Sequence, residues 1–175
     1  MKLTLASIGL LMLLAVGVSA QETYIDQNST FDFSQPHRFA VKIGTPWGDQ
    51  AAESALKQAI AKRLEKKGWS QADESSADVL VIAHGAGPGK QTLRSFYSGL
   101  PGLGWYWIGA PAIEENDEYQ YKEGTLLLDI FDARTKKGVY RGVALDAIRK
   151  SGNNEKRMDK AAKQLLNDLP SARSS

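Results

Sequence analysis

The chain has no cysteine, only two histidines and six prolines among its 175 residues. Without cysteine there can be no disulfide framework, no thiolate zinc site and no thiol nucleophile; the fold must rest on packing. Two imidazoles, His37 and His84, are too few for a histidine-based metal cage, so no metal site and no cofactor are expected. Charge of one sign is missing too. Lys and Arg number 22 against 20 Asp and Glu, a balance that gives no electrostatic footprint for nucleic acid. No internal repeat is visible, and the one long apolar run lies at the very start.

That run is "MKLTLASIGLLMLLAVGVSA", residues 1–20. Lys2 gives a positive start, an apolar stretch follows, and Val18 and Ala20 occupy the small-residue positions of a cleavage site before Gln21. The stretch matches a signal-peptide core and falls short of the roughly 20 residues that span a bilayer. It reads as a secretory leader cleaved after Ala20. With no cysteine to carry a lipid, the exported chain is expected in the periplasm or the medium, without a membrane span. Residues 21–170 then form a single domain and residues 171–175 a disordered tail.

Alternation and helical spacing outline that domain. "ETYIDQ" alternates weakly, as an edge strand would. In "HRFAVKIG", Phe39, Val41 and Ile43 share a face. Asp49 is a helix N-cap type, and Ala52, Leu56, Ala59, Ile60 and Leu64 then keep helical spacing up to Gly68, a natural C-cap after which Trp69 can fold back. "ADVLVIAHG" is continuously apolar, as a central strand is. "LRSFYS" has the composition of a short strand. "TLLLDIFD" and "GVYRGVAL", joined by the polar turn "ARTKKG", form a long hairpin. A closing helix carries Met158, Ala162, Leu165 and Leu169 on one stripe and is ended by Pro170.

The order predicts an α+β, two-layer sandwich: a mainly antiparallel sheet of about five strands with two helices packed on one face. The first strand–helix–strand unit is expected to be a crossover between parallel strands.

The same segments carry a resemblance. "TFDFSQPHRFAV", "LEKKGWSQADESSADVLVIAHG" and, most specifically, "EGTLLLDIFDARTKKGVYRGVA" resemble the bacterial domain-of-unknown-function 4136 family, with Gly124, Thr125, Asp129, Asp132, Thr135, Tyr140, Arg141 and Gly142 in register. The resemblance spans nearly the whole exported chain. It implies a small envelope protein, often a lipoprotein, with the α+β sandwich outlined above. It carries no established activity or catalytic residue. The lipid-bearing cysteine of many members is missing here.

Several motifs invite chemistry. "VIAHGAGPGKQT" looks like a phosphate loop, but His84 stands where its first glycine belongs and Gln91 where Ser or Thr should hold Mg²⁺. No nucleotide is therefore expected. "EENDE" lacks the spaced ligands of a calcium loop. There is no G-x-S-x-G elbow, and no catalytic residue is assigned. His84 sits at a strand exit without the partners that define a site.

"GWYWIG" is different. Neighbouring side chains alternate faces on a strand, so Trp105, Tyr106 and Trp107 cannot all turn inward. Exposed rings in a Gly-rich loop suit stacking on a sugar or a peptide. Trp105, Tyr106 and Trp107, with Tyr97 and with His84 at the margin, are the candidate ligand-binding residues. Three readings follow. The first is a non-enzymatic binding or structural module, its partner an envelope protein or glycan. The others are a glycan- or peptide-binding domain using the aromatic loop, and an exported hydrolase of unrecognised type.

Overall fold

The structure is a computed structural model that describes residues 22–88, 121–149 and 152–173. Its strands are β1 (Thr23–Gln27), β2 (Arg38–Thr45), β3 (Ser70–Gln71), β4 (Val79–Gly85), β5 (Leu126–Asp132) and β6 (Gly138–Ala144). Its helices are α1 (Gln50–Lys66) and α2 (Asn154–Leu166). The strands form one sheet in the order β1-β6-β5-β4-β2-β3. β1, β6, β5 and β4 pair antiparallel, whereas β2 runs parallel to both β4 and β3.

The α+β class stands, with a correction: the sheet has six strands rather than about five, and it is mixed. The added strand, β3, is only two residues long, too short to show alternation. It exists because of how α1 ends. Gly68 at φ +87 turns the chain. Its N–H donates to Glu65 O and the Trp69 N–H to Leu64 O, the paired bonds of a Schellman cap. The chain is thereby delivered alongside β2, where Ser70 N donates to His37 O. Trp69 is buried in the main core, as the spacing predicted.

The start of α1 is also written locally. The Asp49 carboxylate accepts from Ala52 N at 3.0 Å, and Glu53 Oε1 accepts from Trp47 N at 2.9 Å and Gly48 N at 3.1 Å. These anions satisfy N–H groups at the positive end of the helix. Leu56, Ile60 and Leu64 are fully buried, each contributing roughly 1.5–3 kcal/mol relative to exposure. α2 is capped by Asn153, which accepts from Lys156 N at 3.0 Å. The helix stops at Leu166, short of Pro170, and Leu169 is buried beyond its end.

Asn154 joins the two helix starts. Its Nδ2 donates to Asp49 Oδ2 at 3.0 Å and to Arg149 O at 2.9 Å. Farther along, Arg63 bridges α1 to Asp159 of α2 at 3.0 Å. Of the residues expected as a tail, Ala172 N donates to Lys67 O and Arg173 N to Ser34 O.

Alternation splits the sheet into two faces. Phe39, Val79, Val81, Ala83, Leu126, Leu128 and Ile130 share one cluster with the buried residues of both helices. Ala40, Leu80, Ile82, Leu127, Phe131 and Val143 form a second cluster, joined by Ala86 and Tyr121, and among the described residues none from α1 or α2 belongs to it. A register shift in the β5–β6 hairpin leaves Val139 without a partner on β5. Such a bulge lets Val139 and Tyr140 both enter the helix-side core.

Candidate functional site

Charge chemistry enters the interior on the second face. Pairing aligns Ile82 of β4, Asp129 of β5, Arg141 of β6 and Asp26 of β1 in one row across four strands. The Arg141 guanidinium meets Asp129 with two bonds, Nε to Oδ1 at 2.7 Å and Nη2 to Oδ2 at 2.9 Å. Asp129 is fully buried and Arg141 nearly so. Burial pushes the Asp129 carboxyl up from its ordinary value, while the charge and hydrogen bonds of Arg141 pull it down. Burial likewise works against the Arg141 charge, and Asp129 outweighs it. The two bonds run fork to fork, the geometry in which a guanidinium pairs best with a carboxylate. Tyr121 and Asp26 add to the field that keeps Arg141 charged.

His84 lies one step along the same face, on β4, opposite Leu127. It is fully buried, with Thr45 Oγ1 2.9 Å from its Nδ1. Burial first, and the Arg141 charge second, lower its pKa to about 4. At neutral pH it is an uncharged imidazole inside the protein. The strand beside it makes room. A Cβ on Gly44 would lie 2.3 Å from His84 Cε1, and β2 shifts register between Ile43 and Thr45.

Gly85 has a related task. A Cβ there would come within 2.3 Å of Trp47 Cε3. Gly85 is a buried, paired strand residue opposite Leu126. Downstream, Ala86 N donates to Thr125 O and Gly124 N to Ala86 O, which holds the chain leaving β4 against the chain entering β5.

Of the candidate ligand-binding residues, only His84 falls in the described part of the chain, and it is in the interior. Tyr97, Trp105, Tyr106 and Trp107 lie outside the described residues, as do "LRSFYS", "EENDE", Lys90 and Gln91. Among the described residues no group of three His, Asp or Glu side chains is placed to hold a metal ion. No described helix is long and apolar enough to cross a membrane.

The Asp129–Arg141 pair was not singled out from the sequence as a site. Its signal was an acid inside the apolar run "LLLDIFD" and a base inside "GVYRGVA", but only the bulged register sets them opposite. The other hairpin residues have legible structural tasks. Asp132 Oδ1 accepts from Arg134 N at 2.9 Å and Thr135 N at 2.7 Å, which builds the turn. The buried Tyr140 hydroxyl donates to Leu165 O of α2. A Cβ on Gly142 would press on Leu165 Cδ2 at 3.0 Å, so the glycine lets α2 approach β6. Gly124, at φ +89, has Ile148 O 2.6 Å from where its Cβ would be, and there only glycine fits.

Comparison with known proteins gives a family and a fold. The family model described as "Domain of unknown function (DUF4136)" matches residues 22–171. The crystal structure of a DUF4136 family protein from Bacteroides thetaiotaomicron superposes with a TM-score of 0.52 at 14% identity, over 84% of this chain and 94% of that one. A PDZ domain protein from Parabacteroides distasonis gives a TM-score of 0.53 at 12% identity, covering 88% of this chain but 36% of that longer one. The PelC dodecamer from Paraburkholderia phytofirmans gives 0.47 at 12% identity, over 87% of this chain and 100% of that one. At such identities the likeness is one of fold alone. No curated protein matches the chain.

Proposed function

The chain belongs to the DUF4136 family, and on that premise we propose that it is an exported envelope protein acting as a non-enzymatic binding or structural module, built as a two-layer α+β sandwich. One observation carries this reading: among the described residues, the buried charged and imidazole side chains of the second sheet face are engaged within the fold. Asp129 and Arg141 neutralise one another in the interior, and His84 is uncharged at neutral pH, buried beside Thr45. A general acid or base needs reach to a substrate proton and a pKa near the working pH; buried His84, with a pKa of about 4, has neither. The apolar leader supports export, and the chain without cysteine has no residue for a lipid.

Two measurements test it. The full chain is expressed in a bacterial host, fractionated, and the purified product weighed by mass spectrometry. The expected product is soluble in the periplasm or medium and begins at Gln21; an intact leader retained in the membrane fraction defeats export. The same product is then screened against ester, peptide and glycan substrates. Turnover that His84→Ala abolishes in a folded protein defeats the non-enzymatic reading and favours an exported hydrolase.

A second reading is a glycan- or peptide-binding domain that uses Trp105, Tyr106 and Trp107, with Tyr97. Its support is the alternation argument above and the anchoring of the segment's two ends by the Ala86, Gly124 and Thr125 backbone bonds, directly after His84. Trp105→Ala and Trp107→Ala should abolish binding to a peptidoglycan or polysaccharide column without lowering the melting temperature. A lowered melting temperature returns those rings to the core.

A further inference from the structure

β1 is an edge strand of the sheet, and among the described residues no strand pairs with its outer side. Proline and bulges keep an edge from pairing; β1 reads "TYIDQ", has no proline and pairs with β6 without any register shift. Leu145 N donates to Glu22 O, and Asn28 N donates to Val139 O. Backbone groups of an antiparallel strand face its neighbour at every second residue. Glu22, Tyr24, Asp26 and Asn28 therefore turn theirs toward β6, and Thr23, Ile25 and Gln27 turn theirs outward, away from the sheet. Tyr24, beside them, is the exposed large hydrophobic side chain among the described residues, 51% accessible.

We propose that this edge pairs antiparallel with β1 of a second copy of the chain, about a twofold axis through Ile25, so that two sheets become one. The occupant follows from charge. A twofold pairing centred on Ile25 sets Thr23 opposite Gln27, Tyr24 opposite Asp26, and Glu22 opposite Asn28 of the other copy. No like charges meet, and all three outward-facing residues find hydrogen-bonding partners. Moving the centre one residue forward places Asp26 against its own copy; moving it one back places Glu22 against Asp26. Like charges directly opposite are destabilising, so one register is favoured. Ile25 meets Ile25 on the side where it already packs against the helix-side core. This interface is isologous, as closed twofold dimers require. It is independent of whichever ligand the aromatic segment takes.

The purified, exported chain is examined by sedimentation equilibrium across about 1 µM to 1 mM, the range in which a small interface of this kind associates. A concentration-dependent dimer is expected. Gln27→Pro removes an outward N–H without touching the bonds to β6 and should weaken dimerisation at least about tenfold. Tyr24→Lys and Tyr24→Asp both delete the ring and differ only in the charge offered to Asp26 of the other copy. The lysine variant should dimerise about tenfold more tightly than the aspartate variant. A monomer throughout the range overturns the proposal, as does a Gln27→Pro variant that dimerises like the parent. So does equal association by the two Tyr24 variants, a comparison that holds even if the proline variant fails to fold.

Discussion

Both faces of the sheet are buried, and they are held by different physics. On the helix side, Leu126, Leu128 and Ile130 of β5 meet Leu56, Ile60, Met158 and Leu165 in a purely apolar interior, with the Tyr140 hydroxyl satisfied by Leu165 O. On the other side, the same strand offers Leu127, Asp129 and Phe131, and its neighbours contribute His84 and Arg141. Apolar packing is non-directional and tolerates repacking. A buried ion pair does not, because removing one partner strands the other charge in a low dielectric. The second face should therefore be the less forgiving of the two.

The largest effect expected is at the ion pair. Asp129→Ala leaves the Arg141 charge buried and should cost about 3–5 kcal/mol in urea unfolding. The double variant Asp129→Leu/Arg141→Met should recover most of that loss. If the single and double variants are equally unstable, the pair is not the organising feature of that face.

Next comes pH. The unfolded chain protonates a histidine near 6.5, whereas folded His84 resists protonation down to about 4. Between those values the unfolded state binds more protons, so stability falls as pH drops from about 6.5 toward about 4, by roughly 2–4 kcal/mol in all. His84→Gln should flatten that slope when unfolding midpoints are compared across the window. An unchanged slope would place the titration elsewhere.

Smaller still is the space cut for the imidazole. Gly44→Ala drives a methyl to within 2.3 Å of His84 Cε1 and should cost about 1–3 kcal/mol by overpacking. His84→Ala should relieve part of that cost if the glycine exists for the histidine; additive losses in a thermal-melt cycle would separate the two.

The smallest effect is predicted at the rim. Arg38 pairs with Asp78 at 2.9 Å, but both side chains are exposed, 56% and 43%. Arg38→Ala should barely shift the unfolding midpoint, and shift it less still in high salt. Comparison with Asp129→Ala then measures what burial does to the same chemical pair.

Both helices, the caps of α1 and five of the six strands were legible in the chain because their causes are local. Asp49 and Gly68 bracket α1, apolar spacing marks its buried stripe, and alternation marks β2 and the β5–β6 hairpin. β3 was not legible, because two residues carry no period and the strand exists only where a Schellman cap delivers it. The second face was legible only as alternation. Nothing local says that Asp129, twelve positions before Arg141, will sit opposite it, since a bulge at Val139 resets the register between them. The roles of Gly44 and Gly85 were hidden for the same reason: each answers a ring, His84 or Trp47, brought in from another part of the fold. His84 was weighed as the margin of a binding site; its place in the interior comes from β4 being covered on both faces.

By itself, then, the sequence determined the absence of disulfides, the boundaries of α1, the hairpin and the family motif, all of which follow from composition or from neighbours along the chain. Tertiary structure alone decided the mixed six-stranded order, the salt bridge inside the second face and the uncharged state of His84. These depend on which strands lie side by side and on how much water the packing excludes, and neither quantity exists until the chain has folded.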